Sequence, residues 1–213
     1  MKKFNCNYLA IIFFATSTLV AEETEEIIAV ASYIESSELN ASPVDVISAE
    51  EFKNLRVSTV AELSKYLSIA SGSHFQTNAL DGVDQGMATI TLRGLDHAST
   101  LVLINKKRQT HSGTPSDEGE GYIDINIIPE IALERIEILK DGATSLYGSD
   151  AIAGVINFQT FQQFDGMRFL LGSQKTTNYD QRDNSLGVMY GGKFLEGDYV
   201  LALSSLNKSP LNA

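Results

Sequence analysis

The 213 residues include no tryptophan, one cysteine and four prolines, and acidic side chains outnumber basic ones by 27 to 16. Each shortage excludes something. The one cysteine, Cys6, precedes the first apolar run, so beyond that run there is no thiol for a disulfide, a nucleophile or a metal site. With a net charge of -11 and a pI near 4.7 the chain lacks the basic surface that a sequence-independent nucleic-acid binder needs to displace phosphate counterions, so no nucleic-acid partner is expected. The three histidines, His74, His97 and His111, are far apart and make no His-x-x-x-His pair, so no metal site is predicted. Gly142 to Gly148 is followed by Ser149 and Asp150 rather than by Lys-Ser/Thr, which excludes a phosphate loop. There is no Gly-x-Ser-x-Gly elbow either. The sequence therefore predicts neither an enzyme nor a cofactor.

A long apolar run is also missing. Tyr8 to Ala15 is cut short by Thr16, Ser17 and Thr18, well below the roughly 20 residues a spanning helix needs. With Lys2 and Lys3 before it and a small residue, Ala21, ahead of an acidic stretch, residues 1–21 read as a secretory signal.

Residues 22–42 are rich in Glu, Ser and Ala and carry one apolar patch, so they read as a flexible arm. From Pro43 the pattern becomes dense. Val44 to Ile47 alternates like a strand, and Ser48-Ala-Glu-Glu51 and Thr59-Val-Ala-Glu62 have capping-box spacing ahead of helical turns. Thr89 to Arg93 alternates, and Thr100 to Ile104 is continuously apolar, as in a strand buried on both faces. Pro129 stands where a short helix begins, and two further strands are expected at Glu134–Lys140 and Val155–Gln159. After Thr160 the texture changes. Met167–Ser173, Ser185–Phe194 and Asp198–Ser204 are longer segments, each about the length of a transmembrane barrel strand.

In its residue order, Pro129 to Thr160, with Leu133-Glu-Arg-Ile-Glu-Ile-Leu-Lys-Asp-Gly142 and Tyr147-Gly148 ahead of Gly154-Val-Ile-Asn157, closely resembles the end of the plug domain of TonB-dependent outer-membrane receptors. Ser42 to Glu50, Thr59 to Leu63 and Ile90-Thr-Leu-Arg-Gly-Leu95 resemble earlier pieces of the same domain, in the same order. The resemblance implies an α+β fold: a plug with a small mixed β-sheet and short helices over residues 43–160, then about three antiparallel strands of an incomplete transmembrane β-barrel over 161–213. The residues after Thr160 have room for only about three strands, whereas plugged transporter barrels have about 22.

Further expectations follow from the resemblance. Glu26, Ile27, Ile28, Ala29, Val30 and Ala31 resemble the TonB box, gripped from the periplasm by TonB with its inner-membrane energising complex; an extended apolar segment on a loose tether suits strand addition. Arg93 and Arg135 match arginines that hold plugs against barrel carboxylates. The apical loops, here 73–86 and 110–121, place His74, Phe75 and His111 among the candidate ligand contacts, beside the acidic run Asp117-Glu-Gly-Glu120. Asn105-Lys-Lys-Arg108 departs from the family's Asp-Gly-Arg turn, and without that glycine a tight hairpin would strain Lys106. The function implied is energised uptake across the outer membrane of a scarce nutrient of the iron-siderophore, haem, cobalamin or carbohydrate class. A free-standing periplasmic module that binds ligand or TonB is the other reading, since an open arc of strands leaves unpaired edges in a membrane. The end at Ser209-Pro-Leu-Asn-Ala213 is read as a truncation, or as a fragment of a disrupted gene, with the remaining barrel missing.

Overall fold

The computed structural model describes residues 44–55, 57, 59–73, 88–113, 116, 119–175 and 182–209. Strand β1 is Val44–Ser48, and Ser48 both ends it and caps helix α1, Ala49–Asn54. The Glu51 N–H donates to Ser48 Oγ at 3.2 Å and the Ser48 N–H donates to Glu51 Oε2 at 2.9 Å, the reciprocal box read from the sequence. Thr59 caps the next turn through the Glu62 N–H, but Val60–Lys65 winds as a 3-10 helix, burying Val60, Ala61 and Leu63. Strands β2 (Thr100–Ile104) and β3 (Lys107–Arg108) form a hairpin, and β4 (Leu133–Leu139) follows a 3-10 turn over Glu130–Ala132. The short helix α2 (Thr144–Tyr147) leads to β5 (Gly154–Thr160).

These five strands make one mixed sheet in the order β1-β4-β5-β2-β3, with β2 parallel to β5 and the other pairs antiparallel. Both faces of its centre are covered. One carries Ile136, Ile138, Ile156, Phe158 and Val102 into a core completed by Phe52, Leu63, Ile90, Leu92 and Ile125. The other packs Leu101, Leu103, Leu139 and Val155 under Ala143 and Ala151 of the crossover between β4 and β5. Gly154 sits at φ 139 where a Cβ would run into the Leu139 carbonyl, so only glycine lets the two strands close at this point.

The second face turns polar toward the start of β4. Glu137 is 2% exposed, yet its carboxylate accepts from Asn157 Nδ2 at 2.9 Å, Gln159 Nε2 at 3.0 Å and Arg135 Nε at 3.0 Å. Asn157 Oδ1 in turn accepts from the Lys106 N–H at 2.9 Å. The buried charge is therefore met by three donors, which is the condition for burying one without a large penalty.

Two local expectations change. Thr89 to Arg93 is not a regular strand. Side-chain hydroxyls take the place of a partner strand: the Thr91 N–H donates to Ser73 Oγ and the Leu92 N–H to Thr100 Oγ1, while Arg93 turns away at φ 62. The tight turn at Asn105-Lys106 does form without glycine, with both residues in the left-handed region at φ 51 and 63. Strand β5 holds it there. The Asn105 N–H donates to Phe158 O, Asn105 Nδ2 to Thr160 Oγ1, and the Lys106 N–H to Asn157.

The second sheet is antiparallel, in the order β6-β7-β8, with β6 at Gly166–Lys175, β7 at Arg182–Phe194 and β8 at Gly197–Lys208. Each strand runs past the bounds expected from the sequence. Cross-strand register puts Met167, Tyr190 and Leu201 in one row, Phe169, Val188 and Leu203 in the next, and Leu171 beside Leu186 beyond that. All these side chains share one face. Phe169, Leu171, Leu201 and Leu203 on it are each more than 60% exposed. On the opposite face Met189 is fully buried, and Gly187 and Gly191 lie against the rest of the chain.

Candidate functional site

Two places combine concave shape with chemistry. The first lies at the edge of the mixed sheet, a cavity of about 330 Å³ between the 93–99 segment and the loop that follows β3. Its polar lining includes Thr89, His97, Arg108, His111 and Asp150. The His97 ring hydrogen-bonds Thr89 Oγ1 at 3.3 Å through Nδ1, and Thr89 is itself buried. The His111 ring lies directly on Gly121, where an added Cβ would fall 2.5 Å from Nδ1. Arg108 spans from β3 to the crossover: Nη1 meets Asp150 Oδ2 at 2.5 Å and Nη2 donates to the Tyr147 carbonyl. That guanidinium holds the Asp150 carboxyl below its ordinary value, with Ser149 assisting. Across the same two loops Asp96 is hydrogen-bonded to Glu120, which lowers the Asp96 carboxyl. The loops flanking the cavity are thus tied together by side chains instead of backbone ladders.

The second place is the junction between the sheets. The turn Glu130–Ala132 sits against β6, β7 and β8. Ile131 fits over Gly187, where a Cβ would lie 3.2 Å from Ile131 Cβ and 3.3 Å from Leu170 Cβ, so the missing side chain is what admits Ile131. Beside it is a cavity of about 170 Å³ lined by Thr59, Asn126, Glu130, Ser185 and Ser204. Loss of water around Glu130, with the Glu62 carboxylate nearby, pushes its carboxyl up to about 7.

Of the residues singled out from the sequence, His111 is in the loop cavity and His97 joins it there, although the sequence marked His97 only as one of three scattered histidines. Arg93 donates to Lys140 O and to Asp141 Oδ1 at 3.2 Å, just past the end of β4, whereas Arg135 bonds Glu137 near the start of the same strand. The two arginines are not brought together, and each bonds a carboxylate of the same sheet region. Residues 26–31, His74, Phe75, Asp117 and Glu118 lie outside the described residues. Among the described residues no group of three or more His, Cys, Asp or Glu is placed to hold a metal ion. Arg108 and Asp150 escaped sequence reading because the pair joins β3 to a turn more than 40 residues away.

A family model described as the TonB-dependent Receptor Plug Domain matches residues 37–155. The chain belongs to that family. The chain is 32% identical over 148 residues to an iron-regulated outer membrane virulence protein of Vibrio cholerae, covering 69% of this chain and 21% of that protein. The chain is also 30% identical over 156 residues to a vitamin B12 transporter, BtuB, of Vibrio vulnificus, covering 67% of this chain and 24% of the relative. Among solved structures, the siderophore receptor PirA of Acinetobacter baumannii superposes with a TM-score of 0.57 at 25% identity, over 78% of this chain and 25% of PirA. The ferric citrate transporter FecA shares the fold at a TM-score of 0.58 and 21% identity, over 79% of this chain and 26% of FecA. The chain thus spans about a quarter or less of the length of these relatives. Within this family the mixed sheet is the plug, and the antiparallel sheet is consistent with partial barrel strands.

Proposed function

We propose that this chain is the N-terminal part of a TonB-dependent receptor for energised uptake of a scarce nutrient of the iron-siderophore, haem, cobalamin or carbohydrate class across the outer membrane. In this reading residues 1–21 are the signal, 22–42 the arm with the TonB box at 26–31, 43–160 the plug and 161–213 the first part of the barrel. The observation that carries it is the one-sided second sheet. Its inner face seats Gly187 on Ile131 of the plug, and its outer face is a continuous exposed apolar surface from Met167 to Leu203. Such an alternation suits strands with lipid on one side and a filled lumen on the other, and it weighs against a free periplasmic module.

The ligand side is the loop cavity between His97 and His111. Arg93 and Arg135 are read as plug-to-barrel contacts in the whole receptor, in addition to their bonds within this sheet region, and TonB as the partner below. Relatives named for vitamin B12 and siderophores support small-molecule nutrients as the ligand class without choosing between them. The Ile28→Pro substitution deletes a backbone donor from the box, so cells expressing the protein should lose energised uptake and keep surface binding of the ligand. Ferric siderophores, haem, cobalamin and oligosaccharides, each supplied under limitation of that nutrient, are the probes. Unchanged uptake in the variant overturns the box, and growth support by none of the four overturns the transport reading.

A further inference from the structure

Ionisable side chains at the junction of the two sheets are unevenly provided with partners. On the inner face of the strands, Arg168 rests over the rings of Phe161 and Phe164 at 4.8 and 5.0 Å, and Lys208 lies 4.0 Å from Asp183. Lys193 and Asp198 face the same side at the far end, beyond Gly191. From the plug, Asp124 Oδ1 accepts from the Asn126 N–H at 3.0 Å, and Lys65 meets Glu62 at 3.5 Å. Glu130 differs. Among the described residues its carboxyl forms no ion pair, and the charged side chain that acts on it is another acid, Glu62.

Its place in the fold magnifies this imbalance. Glu130 opens the turn whose next residue, Ile131, is seated on Gly187, and it lines the 170 Å³ cavity with the neutral polar groups of Thr59, Asn126, Ser185 and Ser204. A protonated carboxyl suits such a lining, being uncharged and able to exchange hydrogen bonds with hydroxyls and amides. An ionised one has no countercharge there, so it draws in water or withdraws from the cavity. Loss of solvent holds the carboxyl at about 7, which brings its ionisation into the neutral range.

The turn does not yield at Glu130 alone. The Ala132 N–H donates to Pro129 O at 3.0 Å and the Leu133 N–H to Glu130 O, so residues 129–133 move together. Ala132 O accepts from the Phe161 N–H at 3.0 Å, and the Phe164 carbonyl lies against Gly191, where a Cβ would fall 2.4 Å from its oxygen. A shift of Glu130 is thereby passed to Ile131 and to the connector 161–165.

We propose that Glu130 is a proton-operated latch between the mixed sheet and strands β6 to β8: with its proton it stays in the cavity and Ile131 stays on Gly187, and when the proton is lost the turn lifts and frees the connector. The inference rests on the contact between the two sheets and goes beyond what the receptor carries. The test digests the full chain, purified in mild detergent, with a protease of broad pH range. The rate of cleavage within 161–165 is divided by that of Glu130→Gln at the same pH, so that changes in the protease cancel. Between pH 6 and pH 8 this ratio is expected to rise by about threefold or more. In Glu62→Gln the rise should persist with its midpoint at lower pH, because the neighbouring carboxylate is gone. A flat ratio overturns the latch, and so does a midpoint that Glu62→Gln leaves in place. A nitroxide pair at Lys53→Cys and Phe169→Cys, both exposed, with Cys6→Ser, reads the seating without any change at Glu130. Its distance distribution is expected to shift or broaden from pH 6 to pH 8, and an unchanged distribution overturns the proposal. None of these readouts involves uptake, so their failure leaves the transport reading in place, and failure of all four nutrients leaves the latch in place.

Discussion

Phe158 and Leu201 are both large apolar residues near the middle of strands, yet Phe158 is fully buried and Leu201 is 61% exposed. The contrast extends to polar groups. In the plug sheet a charge, Glu137, is taken inside and fully bonded, whereas the second sheet turns Lys193 and Asp198 to its inner face and leaves hydrocarbon outside. The same strand chemistry is thus used for two surroundings. A plug sheet must satisfy its polar atoms from within, and a sheet proposed to face lipid must have none to satisfy on one side.

The sharpest way to break this contrast is to truncate on both sides of it. Phe158→Ala should cost the plug about 3–5 kcal/mol, seen as a lower denaturant midpoint, while Leu201→Ala measured the same way in water should change little. Equal costs would mean that the outer face is covered by protein. Glu137→Ala leaves the Arg135, Asn157 and Gln159 donors facing a hole, and a loss of about 3–5 kcal/mol is expected. A loss below about 1 kcal/mol would show the network to be solvated.

The link between the sheets is probed next. Gly187→Val pushes against Ile131 and Leu170, with an expected cost of about 1–3 kcal/mol and earlier proteolysis at the connector 161–165; an unchanged cleavage rate would separate the two sheets energetically.

Glu130 adds a pH dependence with an unusual sign. Its folded-state carboxyl, at about 7 against an ordinary 4.5, still holds a proton that the unfolded chain has released. Its contribution to stability therefore falls as pH rises from about 4.5 to about 7, the reverse of a salt-bridged carboxylate. Glu130→Gln should flatten this part of the stability profile between pH 5 and 8, and a retained slope would move the effect to another group. The smallest effect belongs to the turn: Lys106→Gly relieves a residue held at φ 63 and should stabilise by about 1 kcal/mol or less, read as a small rise in melting temperature.

Much of this was legible beforehand, for reasons that differ by element. The capping box at Ser48, the buried strand Thr100–Ile104 and the pair of strands around Gly142 to Gly154 are local signals and appear where expected. Thr89 to Arg93 misled because alternation reports burial on two sides, not the partner, and here the partners are the hydroxyls of Ser73 and Thr100. The turn at Asn105-Lys106 was doubtful because local rules ask for glycine, while the bonds that hold it come from Asn157 and Thr160, about 50 residues on. The loop cavity was half legible. His111 stood out as a rare residue in a polar loop, but its convergence with His97, Arg108 and Asp150 is a product of sheet order alone.

That sheet order also governs timing. β1 pairs only with β4, and β2, beyond its short hairpin with β3, pairs in parallel with β5, so neither early strand is fully paired until most of the plug has been delivered. Closing such long loops before any pairing is rewarded slows folding and leaves Val44–Ser48 and Thr100–Ile104 as open strand edges in the meantime. A chain that is delivered N-terminus first thus passes through a stage with both of these edges bare. The plug is therefore expected to assemble late, as one cooperative step once Gly154–Thr160 is out, and to depend until then on whatever shields nascent strands from each other.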